Sequence, residues 1–268
     1  MVLKGWYINN MCKSIKLFNF NNTYLDLPNI FYKVQTPVFV DQPKMFYFND
    51  NLAKDLRINI ENLDENILAN IFSGNIHLKG AKSISQAYAG HQFGNFTMLG
   101  DGRAVLLGEH IINGNRYDIQ LKGSGKTAYS RNGDGKATLS SMLREYIFSE
   151  SMNLLKIPTT RSLSVVSTGE KIHRLEKFEG GILTRVASSH IRVGTFEYAA
   201  RYCTLDEYKL FFNYVINRHF PYLIDKKILV VDFLNTVMEK QIKLLVNWYR
   251  VGFIHGVMNT DNMSIAGE

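Results

Sequence analysis

Apolar and polar positions alternate most clearly in the middle of the chain. Arg103–Ile112 (RAVLLGEHII) and Arg116–Lys122 (RYDIQLK) are β-rich runs separated by Asn113-Gly114-Asn115. An Asn-Gly step between such runs predicts a hairpin, with a loop of two residues or slightly more. Ala137–Leu155 changes to helical spacing: Leu139, Met142, Leu143, Tyr146 and Ile147 share one face, and Pro158 closes the segment. Two strand-like runs follow, Ser162–Ser167 and Gly181–Ala187, joined through Gly169-Glu170. Thr204, with Asp206 and Glu207 behind it, starts a helix, because the hydroxyl caps and the acids favour the positive end of the helix dipole. A second long helix covers Val231–Val251, with Phe233, Val237, Ile242, Leu245 and Trp248 expected to be buried, and ends in a polar loop, His255–Asn262. The N-terminal third is less regular: an irregular start over Leu17–Phe39, a short helix around Ile60–Phe72, and Asp50 as the cap of an earlier helical turn.

The order predicts an α+β fold, a β-rich lobe containing one helix followed by a helical lobe. Two-lobed protein kinases are built in this order, with nucleotide in the cleft. The expected division is a basic, frayed extension over residues 1–16, a sheet-bearing lobe over 17–200, and the start of a helical lobe over 201–268.

Composition narrows the possibilities. The chain has 268 residues, 46% apolar and 21% charged, as in ordinary globular proteins rather than disordered ones. The net charge of +7 suits nucleic acid, an anionic surface or a polyphosphate alike. Cys12 and Cys203 lie far apart in no metal-ligand spacing, so a reducing compartment without a disulfide framework is expected. No apolar run approaches the roughly 18–20 residues needed to cross a bilayer. The N-terminus lacks the apolar stretch and cleavage site of a signal peptide, and the arginines of a transit peptide.

Transfer of part of ATP needs backbone donors and cations around the phosphates, a divalent metal, and a base for the incoming hydroxyl. Leu99-Gly100-Asp101-Gly102-Arg103 offers small residues at a strand entry, a phosphate-approach loop or a plain turn. Gly123-Ser124-Gly125-Lys126-Thr127 looks like the end of a Walker A loop, but Gln120 stands where that motif needs glycine. Lys122 ends an alternating strand, and Glu145 follows 23 residues later on a helix. That is the kinase arrangement for holding phosphates, and equally the spacing of a surface lysine and a solvated acid. Asp134-Gly135 sits in a polar connection that also reads as a turn. Arg185, inside an apolar run, needs an acid or an anionic ligand. Arg192 follows, and the two suit triphosphate oxygens or structural pairs with Glu176 or Glu179. Asn259-Thr260-Asp261-Asn262 places a carboxylate base beside an amide oxygen suited to Mg²⁺, or forms an Asx-rich turn.

Five strings carry a more specific resemblance: Tyr88-Ala-Gly-His-Gln-Phe-Gly94, Leu99–Arg103, Gln120-Leu-Lys-Gly-Ser-Gly125, Thr184-Arg-Val-Ala-Ser-Ser189 and His255–Asn262. In this order they resemble the selenoprotein-O (SelO/YdiU) family, from about Leu17 to the last residue. The resemblance implies a protein-kinase-like fold that binds ATP in a flipped orientation and transfers AMP to protein hydroxyls. It implies that Gly100, Gly102, Arg103, Lys122, Asp134, Gly135, Arg185 and Arg192 contact nucleotide, with Glu145 as the partner of Lys122. Asp261 becomes the proton acceptor and Asn262 a ligand for Mg²⁺ or Mn²⁺. Family members continue for roughly as long again and carry an Asp-Tyr-Gly motif soon after the Asp-Asn pair, whose Asp is a second metal ligand; this sequence ends at Glu268, ahead of such a motif.

The expected function is therefore a protein adenylyltransferase acting on Ser, Thr or Tyr hydroxyls with metal-bound ATP. The alternative is a C-terminally truncated remnant that binds nucleotide without catalysis. Its partners are ATP and protein substrates, without nucleic acid or membrane. The expected location is the cytoplasm of a bacterial-type member, with mitochondria as the eukaryotic counterpart.

Overall fold

The computed structural model describes residues 15–268. Cys12 and all but the last two residues of the expected N-terminal extension lie outside them. Ten strands follow in chain order: β1 (Tyr32–Val34), β2 (Lys44–Phe48), β3 (Ile84–Gln86), β4 (Ala89–Gln92), β5 (Asn95–Met98), β6 (Ala104–Ile112), β7 (Asn115–Lys122), β8 (Ala137–Thr138), β9 (Arg161–His173) and β10 (Lys177–Ala187). Eight form one sheet in the order β1-β3-β6-β7-β10-β9-β2, with β8 on β10; β4 and β5 make a separate hairpin. Every named pairing is antiparallel. The α+β expectation holds.

The β6–β7 hairpin turns on Asn113 and Gly114 alone, since Ile112 already pairs with Asn115. Both turn residues have positive φ, 51° and 77°, matching the twist of the flanking strands. The β9–β10 junction differs from expectation. Gly169 and Glu170 lie inside β9, and the chain reverses at Arg174–Glu176. A register shift between Glu179 and Gly181 absorbs the local irregularity, so the glycine marks a bulged stretch rather than a turn.

Six α-helices and four short 3₁₀ turns complete the described residues: α1 (Asp50–Asp55), α2 (Glu65–Ser73), α3 (Leu139–Leu154), α4 (Val193–Tyr202), α5 (Leu205–His219) and α6 (Leu229–Arg250). Asn49, rather than Asp50, caps α1, accepting a bond from Leu52 N at 3.0 Å. Thr204 and Glu207 form the capping box that starts α5.

Strand β7 shows how the sheet serves two sides. Ile119 and Leu121 enter the main core with Leu52, Leu68, Ile71 and Phe72 from α1 and α2. The alternate positions, Asp118, Gln120 and Lys122, stand on the opposite face. Helix α3 covers part of that face through Met142, which packs with Leu183 and Val165. A second core joins Phe211, Val215, Phe220 and Phe233 of the later helices to Ile84 and Leu106 of the sheet.

Two helical faces depart from the apolar pattern. Ile147 is exposed on α3, and Ile242 on α6, where Gln241 and Leu244 are buried instead. Periodicity marks these side chains as apolar but not which arc of the helix meets the core. Among the described residues no helix is long and apolar enough to cross a membrane.

Candidate functional site

The polar face of β7 meets a different partner at each position. Lys122 Nζ lies 2.5 Å from Glu145 Oε2 on α3. The other oxygen of Glu145 takes Arg185 Nε, also at 2.5 Å. Arg185 stands beside Gln120 in the β7–β10 register, and its guanidinium donates to Gln120 Oε1 at 3.3 Å. The acid that Arg185 needs is thus Glu145, not Glu176 or Glu179; Glu179 pairs with Lys171. Burial pushes the Lys122 ammonium down to about 7, and the neighbouring Arg185 cation adds to this against the pull of Glu145. Burial alone would raise the Glu145 carboxyl, but Arg185 and Lys122 outweigh it and hold it down at about 2.

Arg192 sits at the entry to α4 and is anchored on three sides. Its guanidinium lies 3.6 Å from Asp101 Oδ1 and 4.4 Å above the Tyr88 ring, and donates to the Asp261 carbonyl at 2.9 Å. Asp101 is buried and also accepts from Gln86 N (3.1 Å) and Gln120 Nε2 (3.3 Å). Burial raises its pKa, opposed chiefly by Arg192. Gln120 therefore links the Arg185 cluster to the Arg192 cluster.

The last segment returns beside α4. Val193 N donates to Met263 O at 2.8 Å, and Ile265 N to Ile191 O at 3.1 Å. These bonds bring Asp261 against the β4–β5 hairpin. A β-carbon on Gly90 would stand 2.5 Å from Asp261 Oδ1, so only glycine allows this approach. Asp261 Oδ1 is buried with no hydrogen-bond partner. Asn262 donates its amide to Val257 O at 3.1 Å, which leaves its side-chain oxygen as an acceptor. Thr260 is tied to Glu197 at 2.5 Å.

The glycine loop is held differently. Gly100 has φ +126°, and a β-carbon there would meet the Tyr129 ring at 2.4 Å. Thr127 Oγ1 donates to Asp101 O at 2.7 Å, and Ser130 to Gly102 O, so the 127–135 connection closes over the loop. Asp134 is engaged by Arg174 through two bonds of 2.8 and 2.9 Å, and this pairing lowers its pKa. Arg103 is exposed at the rim.

The expected residues thus line two openings. Lys122, Glu145, Arg185 and Arg192 line a cavity of about 420 Å³. Gly100, Gly102, Arg103, Asp134, Gly135 and Asp261 line a second of about 690 Å³. Asn262 borders both. The first sets Lys122, Arg185 and Arg192 against the carboxylates of Glu145 and Glu268, an excess of basic groups suited to an anion; the second offers backbone and an orphaned carboxylate. The side-chain oxygen of Asn262 is a hard donor that fits Mg²⁺ or Mn²⁺, and Asp261 stands next to it as a carboxylate. Among the described residues no group of three or more His, Cys, Asp or Glu side chains forms a cation cage, so phosphate oxygens and water would complete the shell.

The pattern reading missed Asp101, Tyr88, Gly90 and Gln120 as parts of the site. The sequence signal for Gln120 was its place in Asp118-Ile-Gln-Leu-Lys122, on the strand face that carries Lys122; the full burial of 118 and 120 comes from tertiary packing.

A protein nucleotidyltransferase YdiU from Clostridium perfringens (strain SM101 / Type A) is 60% identical over 253 residues, covering 94% of this chain and 51% of the relative. YdiU nucleotidyltransferases of Pelagibacter ubique (strain HTCC1062) and Brevibacillus brevis are each 53% identical over 252 residues, covering 94% of this chain and 52% and 51% of those relatives. The chain spans about half the length of the curated relatives it matches. The family model described as protein adenylyltransferase SelO matches residues 14–268, and the chain belongs to that family.

Proposed function

We propose that this chain carries the nucleotide site of a protein adenylyltransferase, transferring AMP from ATP to Ser, Thr or Tyr hydroxyls of proteins. The observation that carries the reading is one continuous arrangement. Glu145 holds Lys122 and Arg185 as phosphate-facing cations, and Arg192, beside them, fixes the backbone of Asp261, whose Oδ1 has no partner. The polyphosphate end lies over Lys122, Arg185 and Arg192. The nucleoside end faces Gly100, Gly102, Arg103, Asp134 and Gly135, the flipped orientation of a kinase-like, two-lobed cleft between 17–200 and 201–268.

Asp261 accepts the proton as the substrate oxygen attacks the α-phosphorus. The bond from that phosphorus to the bridging oxygen breaks, and pyrophosphate leaves with the electron pair, its charge offset by the three cations. Asn262 would hold Mg²⁺ or Mn²⁺ together with phosphate oxygens, and the ion would supply further neutralisation of phosphate charge. For a bacterial-type member this reaction belongs to the cytoplasm.

Incubation with ATP labelled in the α-phosphate and with Mg²⁺ or Mn²⁺ tests the reading. Label should enter protein and be lost in Asp261→Ala. Label from the γ-phosphate instead would make the reaction a phosphoryl transfer. ATP binding without either label would leave a nucleotide-binding protein and sink the catalytic reading.

A further inference from the structure

Asp118, the third polar residue on the site face of β7, reaches none of the nucleotide-site residues. It is fully buried and accepts from Arg218 (2.6 Å), from His190 N (2.8 Å) and from His190 Nδ1 (3.3 Å). Burial pushes its carboxyl up, but Arg218 and His190 outweigh this and hold it ionised. An ionised carboxylate accepts only, so Nδ1 carries the proton. The ring is thereby fixed at one nitrogen, and Nε2 is turned away from Asp118.

His190 is 8% exposed and lines the same cavity as Lys122, Arg185 and Arg192. Its Nε2 is buried and has no hydrogen-bond partner. Leaving such a nitrogen unpaired costs free energy unless a ligand or water completes it. A purely structural histidine would need only the Asp118 contact and could turn its far edge to apolar neighbours. This one lines a cavity in which Lys122, Arg185 and Arg192 outnumber the carboxylates of Glu145 and Glu268, and such an excess of basic groups calls for an anion.

We propose that His190 is a further polyphosphate-binding residue, oriented by Asp118 and donating from Nε2 to a phosphate oxygen of bound nucleotide. With Nδ1 donating to Asp118, donation from Nε2 makes both ring nitrogens donors, and the buried carboxylate balances the charge. The inference rests on the nucleotide reading of the cavity and adds a residue to it.

Two substitutions separate the two edges of the ring. In His190→Asn the amide nitrogen takes the place of Nδ1 and keeps the Asp118 bond, while nothing reaches the cavity. In His190→Gln the amide extends to the position of Nε2. Calorimetry on the full chain should show His190→Asn weakening ATP and pyrophosphate about tenfold, as for loss of one charge-assisted bond. Adenosine affinity and the ligand-free melting midpoint should stay unchanged, and His190→Gln should recover most of the phosphate affinity.

Unchanged ATP affinity in His190→Asn, or equal loss of ATP and adenosine, overturns the inference. Should the variants fail to fold, the wild-type chain with ¹⁵N-labelled histidine decides. The Nε2 resonance of His190 should move with ATP and stay still with adenosine; an unmoved resonance overturns the inference. Wild type binding ATP while His190→Asn binds it equally removes only this role. Wild type binding neither ATP nor pyrophosphate removes the nucleotide reading as well.

Discussion

Gly90 lies directly under Asp261: a β-carbon built on it would stand 2.5 Å from Asp261 Oδ1 and 2.8 Å from its Cγ. The hairpin thus sets the position of the proposed base. Gly90 is not among the residues with positive φ, so alanine there adds a clash without backbone strain. Gly90→Ala should lower AMP transfer about 100-fold, the scale of a misplacement near 1 Å, while moving the melting midpoint little. Initial rates with α-labelled ATP, beside a melting curve, check this. An unchanged rate would mean that Asp261 tolerates displacement.

Lys122 gives a pH signature. Burial and Arg185 hold it at about 7 in the free protein, so it is largely neutral above that value. On the proposed reading ATP binds the cationic form, so binding above pH 7 must take up a proton. Affinity should fall with rising pH between about 7 and 9, approaching tenfold per unit. Lys122→Arg stays protonated and should flatten this slope. Calorimetric titration at several pH values measures it; equal slopes in both proteins would argue against the assignment.

Stability should decline on the acid side from near pH 6.5. His219 is pushed down to about 3, mainly by burial and then by Arg218. Its folded pKa lies below the unfolded one, so the unfolded chain binds more protons between about 3 and 6.5, and stability falls as pH drops through that window. The slope approaches about 1.4 kcal/mol per pH unit. Burial lowers His110 as well and acts in the same direction. Glu145, held at about 2, adds a loss as pH falls from its ordinary range toward that value. Urea unfolding at pH 5, 6 and 7 should show a shallower slope in His219→Gln.

Arg218 is the charge on which the buried acids depend. Asp118 lies 2.6 Å from it and Glu109 3.4 Å. Burial disfavours its cation, but Asp118, Tyr214 and Glu109 together keep it charged. Arg218→Ala strips the buried Asp118 of its only salt-bridge cation besides His190 and Glu109 of one of its two, and should cost about 3–5 kcal/mol. Chemical denaturation reads this directly, and a loss under 1 kcal/mol would show that Arg116, which also pairs with Glu109, carries the load.

What was legible in the sequence follows from how far apart the cooperating residues lie. The Asn113-Gly114 turn and the Thr204–Glu207 box are local, and their chemistry is complete within four residues. Lys122 and Glu145 are 23 residues apart, so spacing allowed both a pair and two solvated charges. For Arg185 the pattern offered nearby Glu176 and Glu179, whereas the fold delivers Glu145 from α3. Asp118 and His190 are 72 residues apart and meet only through tertiary packing. Gly169-Glu170 misled because a glycine in a bulged strand and a glycine in a turn look alike. Ile147 and Ile242 keep helical spacing yet face outward.

Strand β7 carries core and chemistry on alternate residues, and this ties correct assembly to correct folding. A slip of one position would turn Asp118, Gln120 and Lys122 into the apolar interior and expel Ile119 and Leu121 from it. Each misregistered chain would therefore lose its stability together with its anion site. The strand acts as a built-in proofreading device: a molecule whose anion site is intact has already been vetted by its own core.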